Sequence, residues 1–307
     1  MKTIFGFEKL KTQSKKSIVS IGVFDGVHKG HQRIIETAVK DARALNGQSV
    51  VITFEPHPLE VLDLRSHPLV LTSLELKERL IGQMEVNLLL VIKFTPEFAR
   101  MSAKSFVDKV LIDKLNLTEV VVGEGFKFGS GSEGDINFLT NYGTEKGFKV
   151  KSIPLMLVDN KPISSTRIRE LLELGKIAKA VRILGHYPKL IGIVTRGCGR
   201  GKDVGFCTAN IKTEDKASVP CDGVYAGFAK INSEKKTCLI NIGSCPTFHI
   251  EEPRIEVHII DFNENIYGER IEIEIVEKLR EQIKFENKEA LAVQIGKDIN
   301  RTKELLS

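Results

Sequence analysis

Short apolar runs alternate with longer stretches of helical spacing through the first 184 residues of this 307-residue chain. The runs 18–24, 49–54, 88–92, 119–122 and 149–153 read as buried strands. The stretches 32–45, 74–84, 102–114 and 136–146 place apolar residues at helical intervals. Strand alternating with helix predicts a parallel sheet covered on both faces. Ligands of such sheets bind beyond the carboxyl ends of the strands. After Gly185 the pattern shortens. Residues 191–195, 224–231, 237–242, 255–261 and 270–276 form brief runs, many alternating apolar with polar, punctuated by glycine and proline. A helical stretch from Lys288 to about Leu306 follows. This predicts a small antiparallel barrel with a terminal helix. The expected fold class is therefore α/β, followed by a β-barrel. The domains are expected at 1–184 and 185–307, joined near Leu184–Pro188.

The end of the first long apolar run carries the strongest chemical signal. Ile21-Gly22-Val23-Phe24-Asp25-Gly26-Val27-His28-Lys29-Gly30-His31 leads from strand to helix, with two histidines where the helix begins. Unpaired backbone N–H groups and the helix dipole favour an anion there. Two histidines in a loop are more often merely solvated. The strand–turn–helix setting with two glycines points instead to phosphate handling. Thr53-Phe54-Glu55-Pro56-His57-Pro58 follows the next strand, its prolines stiffening the exit. Gly123-Glu124-Gly125-Phe126-Lys127-Phe128-Gly129 follows a third and permits close backbone approach to a ligand. Ile163-Ser164-Ser165-Thr166-Arg167-Ile168-Arg169 opens a helix. One hydroxyl there suffices as a cap, yet three precede two arginines.

The second half offers a different set. Between Gly192 and Asn210 stand Gly197, Gly199, Lys202 and Gly205, a basic glycine-rich loop whose amides can surround phosphate. It is not a Walker A motif, since no Gly-Lys-Ser/Thr precedes a helix at the required spacing. Thr208 and Asn210 offer hard oxygens of the kind Mg²⁺ takes. Asn241-Ile242-Gly243-Ser244-Cys245-Pro246-Thr247-Phe248 lies further on. On the strand 255–261, Glu256 and His258 share one face and Val257 and Ile259 the other.

These motifs carry a resemblance. The segment around His28 and His31 resembles the HxGH signature of the nucleotidyltransferase superfamily, and Phe24-Asp25-Gly26-Val27-His28 resembles its bacterial FAD synthetase branch. The run 163–169 is similar to that superfamily's ISSTxxR signature. Cys207-Thr208-Ala209-Asn210 resembles the PTAN motif of riboflavin kinases, with cysteine in place of proline. The chain is thus identified as a member of the bacterial bifunctional riboflavin kinase/FAD synthetase (FMN adenylyltransferase) family. The resemblance implies a Rossmann-like nucleotidyltransferase domain followed by a riboflavin kinase barrel. It implies phosphorylation of riboflavin to FMN, then adenylylation of FMN to FAD with release of pyrophosphate.

In the first domain the resemblance assigns His28, His31 and Arg169 to catalysis at the α-phosphate. It gives Gly22, Phe24, Asp25, Gly30, Ser164, Ser165 and Thr166 to ATP, and Phe54, Pro56, His57, Pro58, Gly125 and Phe126 to the flavin. An Asp or Asn usually stands where this chain has Gly125. In the second domain it assigns Glu256 as the base for the ribityl 5′-hydroxyl. Gly197, Gly199, Lys202, Gly205 and Asn241 are given to ATP, and Thr208 and Asn210 to Mg²⁺. The expected small molecules are ATP, riboflavin and FMN, with Mg²⁺ as cofactor.

Charge and cysteine content narrow the classes. Residues 1–184 hold 27 basic against 21 acidic residues, and residues 185–307 hold 18 against 19. That mild excess suits nucleotides. It is too dispersed for nucleic acid, and no basic run interleaved with aromatics occurs. Five cysteines, with no Cys-x-x-Cys, indicate free thiols rather than zinc or a disulfide framework. No apolar run approaches a membrane span, and the start lacks a secretory signal. A cytoplasmic monomer or weak homo-oligomer is expected. The competing readings are a riboflavin kinase whose adenylyltransferase site is weak or lost, a flavin- or nucleotide-sensing regulator without turnover, and another nucleotidyltransferase fused to a barrel.

Overall fold

In a computed structural model, the strands of the first half bury side chains on both faces. The described residues are 1–62, 69–196, 206–213, 216–232, 234–245 and 250–307. The chain divides into two units, Met1–Pro68 with Leu74–Ser164, and Leu69–Ser73 with Ser165–Ser307.

The first unit holds a six-stranded sheet of β1 (Lys2–Phe5), β2 (Ser17–Ile21), β3 (Gln48–Glu55), β4 (Leu88–Lys93), β5 (Leu117–Gly123) and β6 (Lys149–Ile153). All pairings are parallel, in the order β1-β4-β3-β2-β5-β6. Successive residues of β3 and β4 enter opposite cores. Val50, Ile52, Leu88, Leu90 and Ile92 join one cluster, and Val51, Leu89 and Val91 the other. Such two-sided burial is why these strands read as continuous apolar runs rather than alternating ones. From β2 the chain steps through β3 to β4 on one side and later through β5 to β6 on the other. The exit of β2 is therefore the switch point of the sheet, where α/β sheets open a crevice.

Helices α1 (Lys29–Ala44), α2 (Pro58–Leu62), α3 (Leu74–Gly82), α4 (Pro96–Ala99), α5 (Ala103–Phe106) and α6 (Ile136–Lys146) lie between the strands. The expected helix 102–114 is α5 followed by a π-helical turn at Val107–Ile112. The hairpin β7 (Leu157–Val158) and β8 (Lys161–Pro162) follows β6.

The second unit begins with α7 (Ser165–Glu173) and α8 (Ile177–Leu184). Six strands then close a barrel: β9 (Lys189–Thr195), β10 (Ala209–Thr213), β11 (Gly223–Ile231), β12 (Glu234–Cys245), β13 (Ile250–Ile259) and β14 (Arg270–Arg280). They pair antiparallel in the order β10-β13-β12-β11-β14-β9, with β9 and β10 joined. Ile240, Ile242, Ile255 and Val257 are buried at 2% exposure or less, while the intervening Asn241 and Glu256 are half-buried. The last helix, α9 (Lys288–Leu306), packs on β11 and β12. Its Asp298 accepts from Arg280 Nε at 2.9 Å and Nη2 at 2.8 Å and is 6% exposed. That fork-shaped pair clamps the helix to β14.

Candidate active sites

The apolar run expected to stay in strand through Phe24 leaves the sheet at Ile21. Phe24, Gly26 and Val27 all take positive φ, at 51°, 84° and 38°. A β-branched residue there is strained. The turn holds because Phe24 and Val27 are each 1% exposed and packed against Ile35 and Val91. Two apolar anchors thus fix a backbone that would otherwise relax.

The turn delivers His28 as the N-cap of α1. Its Nδ1 accepts from the His31 amide at 3.2 Å, so Nδ1 carries no proton and the neutral ring keeps its hydrogen on Nε2. The rings of His28 and His31 stack, with centroids 3.5 Å apart at 16°. Phe24 meets His31 edge-on at 5.2 Å. Asp25 is 2% and His28 5% exposed. His31 retains some contact with solvent, but its Nδ1 is enclosed and has no hydrogen-bond partner among the described residues. Burial, then the neighbouring His28 and Lys77, hold the His31 imidazole well below its usual value.

This has a measurable consequence. Unfolded His31 takes a proton near the ordinary value of about 6.5, while folded His31 resists it. Below that pH the unfolded chain binds more protons, so stability falls until folded His31 is itself protonated. Thermal unfolding followed from about pH 8 to pH 5.5 is expected to show a declining midpoint, and His31→Gln is expected to flatten the decline.

Beside the turn lies a pocket of about 390 Å³. Its walls come from the carboxyl ends of the strands: Gly22 after β2, Phe54 in β3, Phe94 after β4, and Gly125, Phe126 and Phe128 after β5. The aromatic rings run in contact through Phe54, Phe94, Phe98, Phe106 and Phe128, with Phe126 and Phe128 stacked at 5.4 Å. Such a slot fits a flat, largely apolar ring system. Gly129, at φ 77°, shapes one wall, since a Cβ there would lie 2.7 Å from the Ala103 nitrogen. Phe54, Pro58, Gly125 and Phe126 line the pocket. Pro56 and His57, in the adjoining turn after the cis Glu55–Pro56 bond, do not.

Ser164 ends the first unit, while Ser165, Thr166 and Arg169 lie on α7 in the second. Arg169 Nε donates to Leu69 O at 2.6 Å.

On the barrel, one row of cross-strand neighbours collects the polar residues. Thr195 pairs with Asn210, Asn210 with Glu256, and Glu256 with Asn241. Arg254 ties them together: its Nε donates to Asn210 Oδ1 at 3.0 Å and its Nη2 lies 3.0 Å from Glu256 Oε1. Asn241 Nδ2 donates to Glu256 Oε2 at 3.3 Å. Gln282 Nε2 lies 3.3 Å from Asn241 Oδ1 and donates to Ile242 O at 3.0 Å. Glu256 and His258 do share the face opposite Val257 and Ile259 and open into a pocket of about 350 Å³. Phe206, Leu239 and Phe285, with Leu291 and Ile295 of α9, supply its apolar walls. A second pocket of about 340 Å³, lined by Cys207, Phe262, Asn265 and Tyr267, shares Thr208 with the first. Gly197, Gly199, Lys202 and Gly205 lie outside the described residues.

Sequence reasoning missed several of these residues. Phe94 and Phe98 stand four apart around the capping Thr95, a spacing that marks one helix face. Arg254 precedes Glu256 by two, on the same strand face. Lys77 precedes the buried Ile81 by four, which places it on the core-facing side of α3.

The FAD synthetase family model matches residues 10–167 and the riboflavin kinase family model residues 184–306. The chain is 38% identical over 310 residues to a bifunctional riboflavin kinase/FMN adenylyltransferase of Buchnera aphidicola subsp. Schizaphis graminum, covering 99% of this chain and 98% of the relative. It is 37% identical over 293 residues to the protein of that name from Bacillus subtilis, covering 94% and 92%. A crystal structure of a macrolide-efflux protein from Streptococcus pneumoniae aligns with a TM-score of 0.90 at 32% identity over 99% of each chain. Among the described residues no helix is long and apolar enough to cross a membrane.

Proposed function

The chain belongs to the bifunctional riboflavin kinase/FMN adenylyltransferase family, and from that membership we infer which residues carry its two reactions. The protein phosphorylates riboflavin to FMN with ATP, and adenylylates FMN to FAD with a second ATP. Adenylylation belongs to the first unit. The aromatic slot takes the isoalloxazine ring, and the α1 N-terminus with His28 and His31 takes the phosphates of ATP. A phosphate oxygen of FMN attacks the α-phosphorus, and pyrophosphate leaves. Neither histidine forms a covalent bond. His28, held by its cap, and the neutral His31 stabilise charge on the phosphate oxygens. On the signature they resemble, Ser164, Ser165, Thr166 and Arg169 are assigned to the triphosphate. The observation that carries this reading is the aromatic pocket opening beside a helix N-terminus capped by histidine.

Phosphorylation belongs to the barrel. Riboflavin occupies the pocket under α9, the nucleotide the neighbouring one, and Thr208 stands between. Glu256 takes the proton of the ribityl 5′-hydroxyl as its oxygen attacks the γ-phosphorus and ADP leaves. The donors near Thr208 are hard oxygens, which fits Mg²⁺, an ion that keeps water and phosphate as most of its ligands. Thr208 and Asn210 would hold it, with Asn210 Oδ1 first released from Arg254. When bound, Mg²⁺ neutralises charge on the phosphates. Incubation with riboflavin, ATP and Mg²⁺ followed by chromatography tests both reactions, with FMN and FAD expected in turn. We place the protein in the cytoplasm, where ATP is supplied.

Gly125 tunes the first site. A Cβ at this position meets nothing within 4 Å, and its φ is not positive, so a side chain fits. Gly125→Asp is expected to tighten FMN binding by up to about tenfold, the scale of a single hydrogen bond. The gain should fall on KM rather than kcat, because a positioning contact serves ground and transition states alike. Fluorescence titration of FMN into both proteins measures it. Unchanged or weaker affinity would show that the position serves the backbone alone.

A further inference from the structure

α3 carries a lysine where its core-facing stripe calls for an apolar residue. Leu76, Lys77 and Ile81 are its buried residues, and Lys77 is 3% exposed. A buried ammonium is costly unless polar partners replace its lost hydration. Here Nζ lies 3.5 Å from Thr53 Oγ1. Thr53 Oγ1 in turn donates to Val23 O at 2.9 Å, within the turn that presents the histidines. Burial opposes the charge on Lys77, while Asp25 and Glu55 support it. The same cation acts electrostatically on His31. Neither reaction derived above uses Lys77.

We propose that Lys77 is a positioning residue for adenylyl transfer, its buried ammonium bonded to Thr53, which in turn ties to the histidine turn at Val23, and acting on the reaction through the stacked histidines. The proposal rests on the reading that His28 and His31 meet the phosphates of ATP. Among the described residues, the charged and titratable groups that act on Lys77 and His31 are Asp25 and His28 from the turn, Glu55 from the end of β3, and Lys77 itself from α3. A cation fixed beside His31 disfavours a second positive charge on the imidazole. The ring stays neutral, with one donor and one acceptor nitrogen. Through Thr53 the same lysine braces the turn at Val23. One residue thus adds to the burial that keeps His31 neutral and braces the turn that places it.

Lys77→Met keeps the aliphatic stem and removes the charge. The His31 imidazole, followed by NMR in histidine-labelled protein, is expected to titrate at higher pH in the variant than in the native chain. The acid limb of the adenylylation profile should move in the same direction. The fraction of activity lost on acidification should therefore be larger in the variant than in the native chain. Riboflavin phosphorylation should keep its native profile. A variant with lowered rate but native histidine titration and profile would overturn the proposal, because a packing role alone lowers rate without moving either. Intact FAD formation by His31→Ala is a separate failure, and it removes the underlying reading of the histidines and the proposal with it. Should Lys77→Met not fold, Lys77→Gln is read in the same way. In the native protein, a His31 that titrates as an ordinary histidine sinks the idea, and the difference between native and variant titration decides whether Lys77 contributes.

Discussion

His31→Ala is expected to lower FAD formation at least ~100-fold, the lower range for losing a group that transfers protons or stabilises charge in the transition state. FMN formation should be unaffected. The substitution is a clean one for structural reasons. The cap of α1 uses the backbone amide of residue 31, not its side chain, and alanine is the residue best suited to a helix interior. What disappears is the ring stacked on His28 and resting on the edge of Phe24. The charge-stabilising group goes while the helix N-terminus and its dipole remain. The assay supplies FMN and ATP directly and quantifies FAD by chromatography, with riboflavin phosphorylation as the internal control. Normal FAD output would show that the His31 ring is dispensable for handling the phosphates.

Glu256→Gln is expected to reduce riboflavin phosphorylation by about 100-fold or more, the usual weight of a general base, while adenylylation of supplied FMN continues. Glutamine keeps the shape and loses the basicity. The structure adds a second consequence, because Glu256 also forms an ion pair with Arg254 and accepts from Asn241. Its loss leaves Arg254 held by Asn210 alone among the contacts described above. Riboflavin affinity separates the two roles. If binding persists and turnover collapses, Glu256 serves as base. If binding and turnover fall together, its main part is to orient Arg254 and Asn241. A variant with near-native turnover would falsify both roles.

The strands and long helices were legible because each has one dominant period. Residues 149–153 and 136–146 match β6 and α6 to the residue. Residues 102–114 are helical as their spacing predicts, but the change from α to π turns at Val107 leaves no mark in the pattern. The glycine-rich pattern runs up to Asn210 and so hides the start of β10 at Ala209. In the fold, Asn210 is a strand residue paired with Glu256, and cross-strand pairing leaves no local trace. The histidine turn was visible through its glycines and strand-to-helix setting. Its left-handed Phe24 and Val27 were not, since only tertiary burial makes that backbone tolerable. Lys77 was hidden for the opposite reason: in a helix rich in charge it looks solvated, and its burial depends on partners on β3 and in the histidine turn.

The contribution of α9 to the barrel pocket also sets an order in time. Every lining residue of the aromatic pocket lies between Ile21 and Ser132, whereas the pocket beside Glu256 needs Leu291, Ile295 and Asp298. A ribosome delivers residues in sequence, and domains fold as units while synthesis proceeds. The aromatic pocket has all its walls when less than half of the chain has emerged. The pocket beside Glu256 waits for the last helix. During synthesis, then, the pocket proposed for the second chemical step has its walls before the pocket proposed for the first.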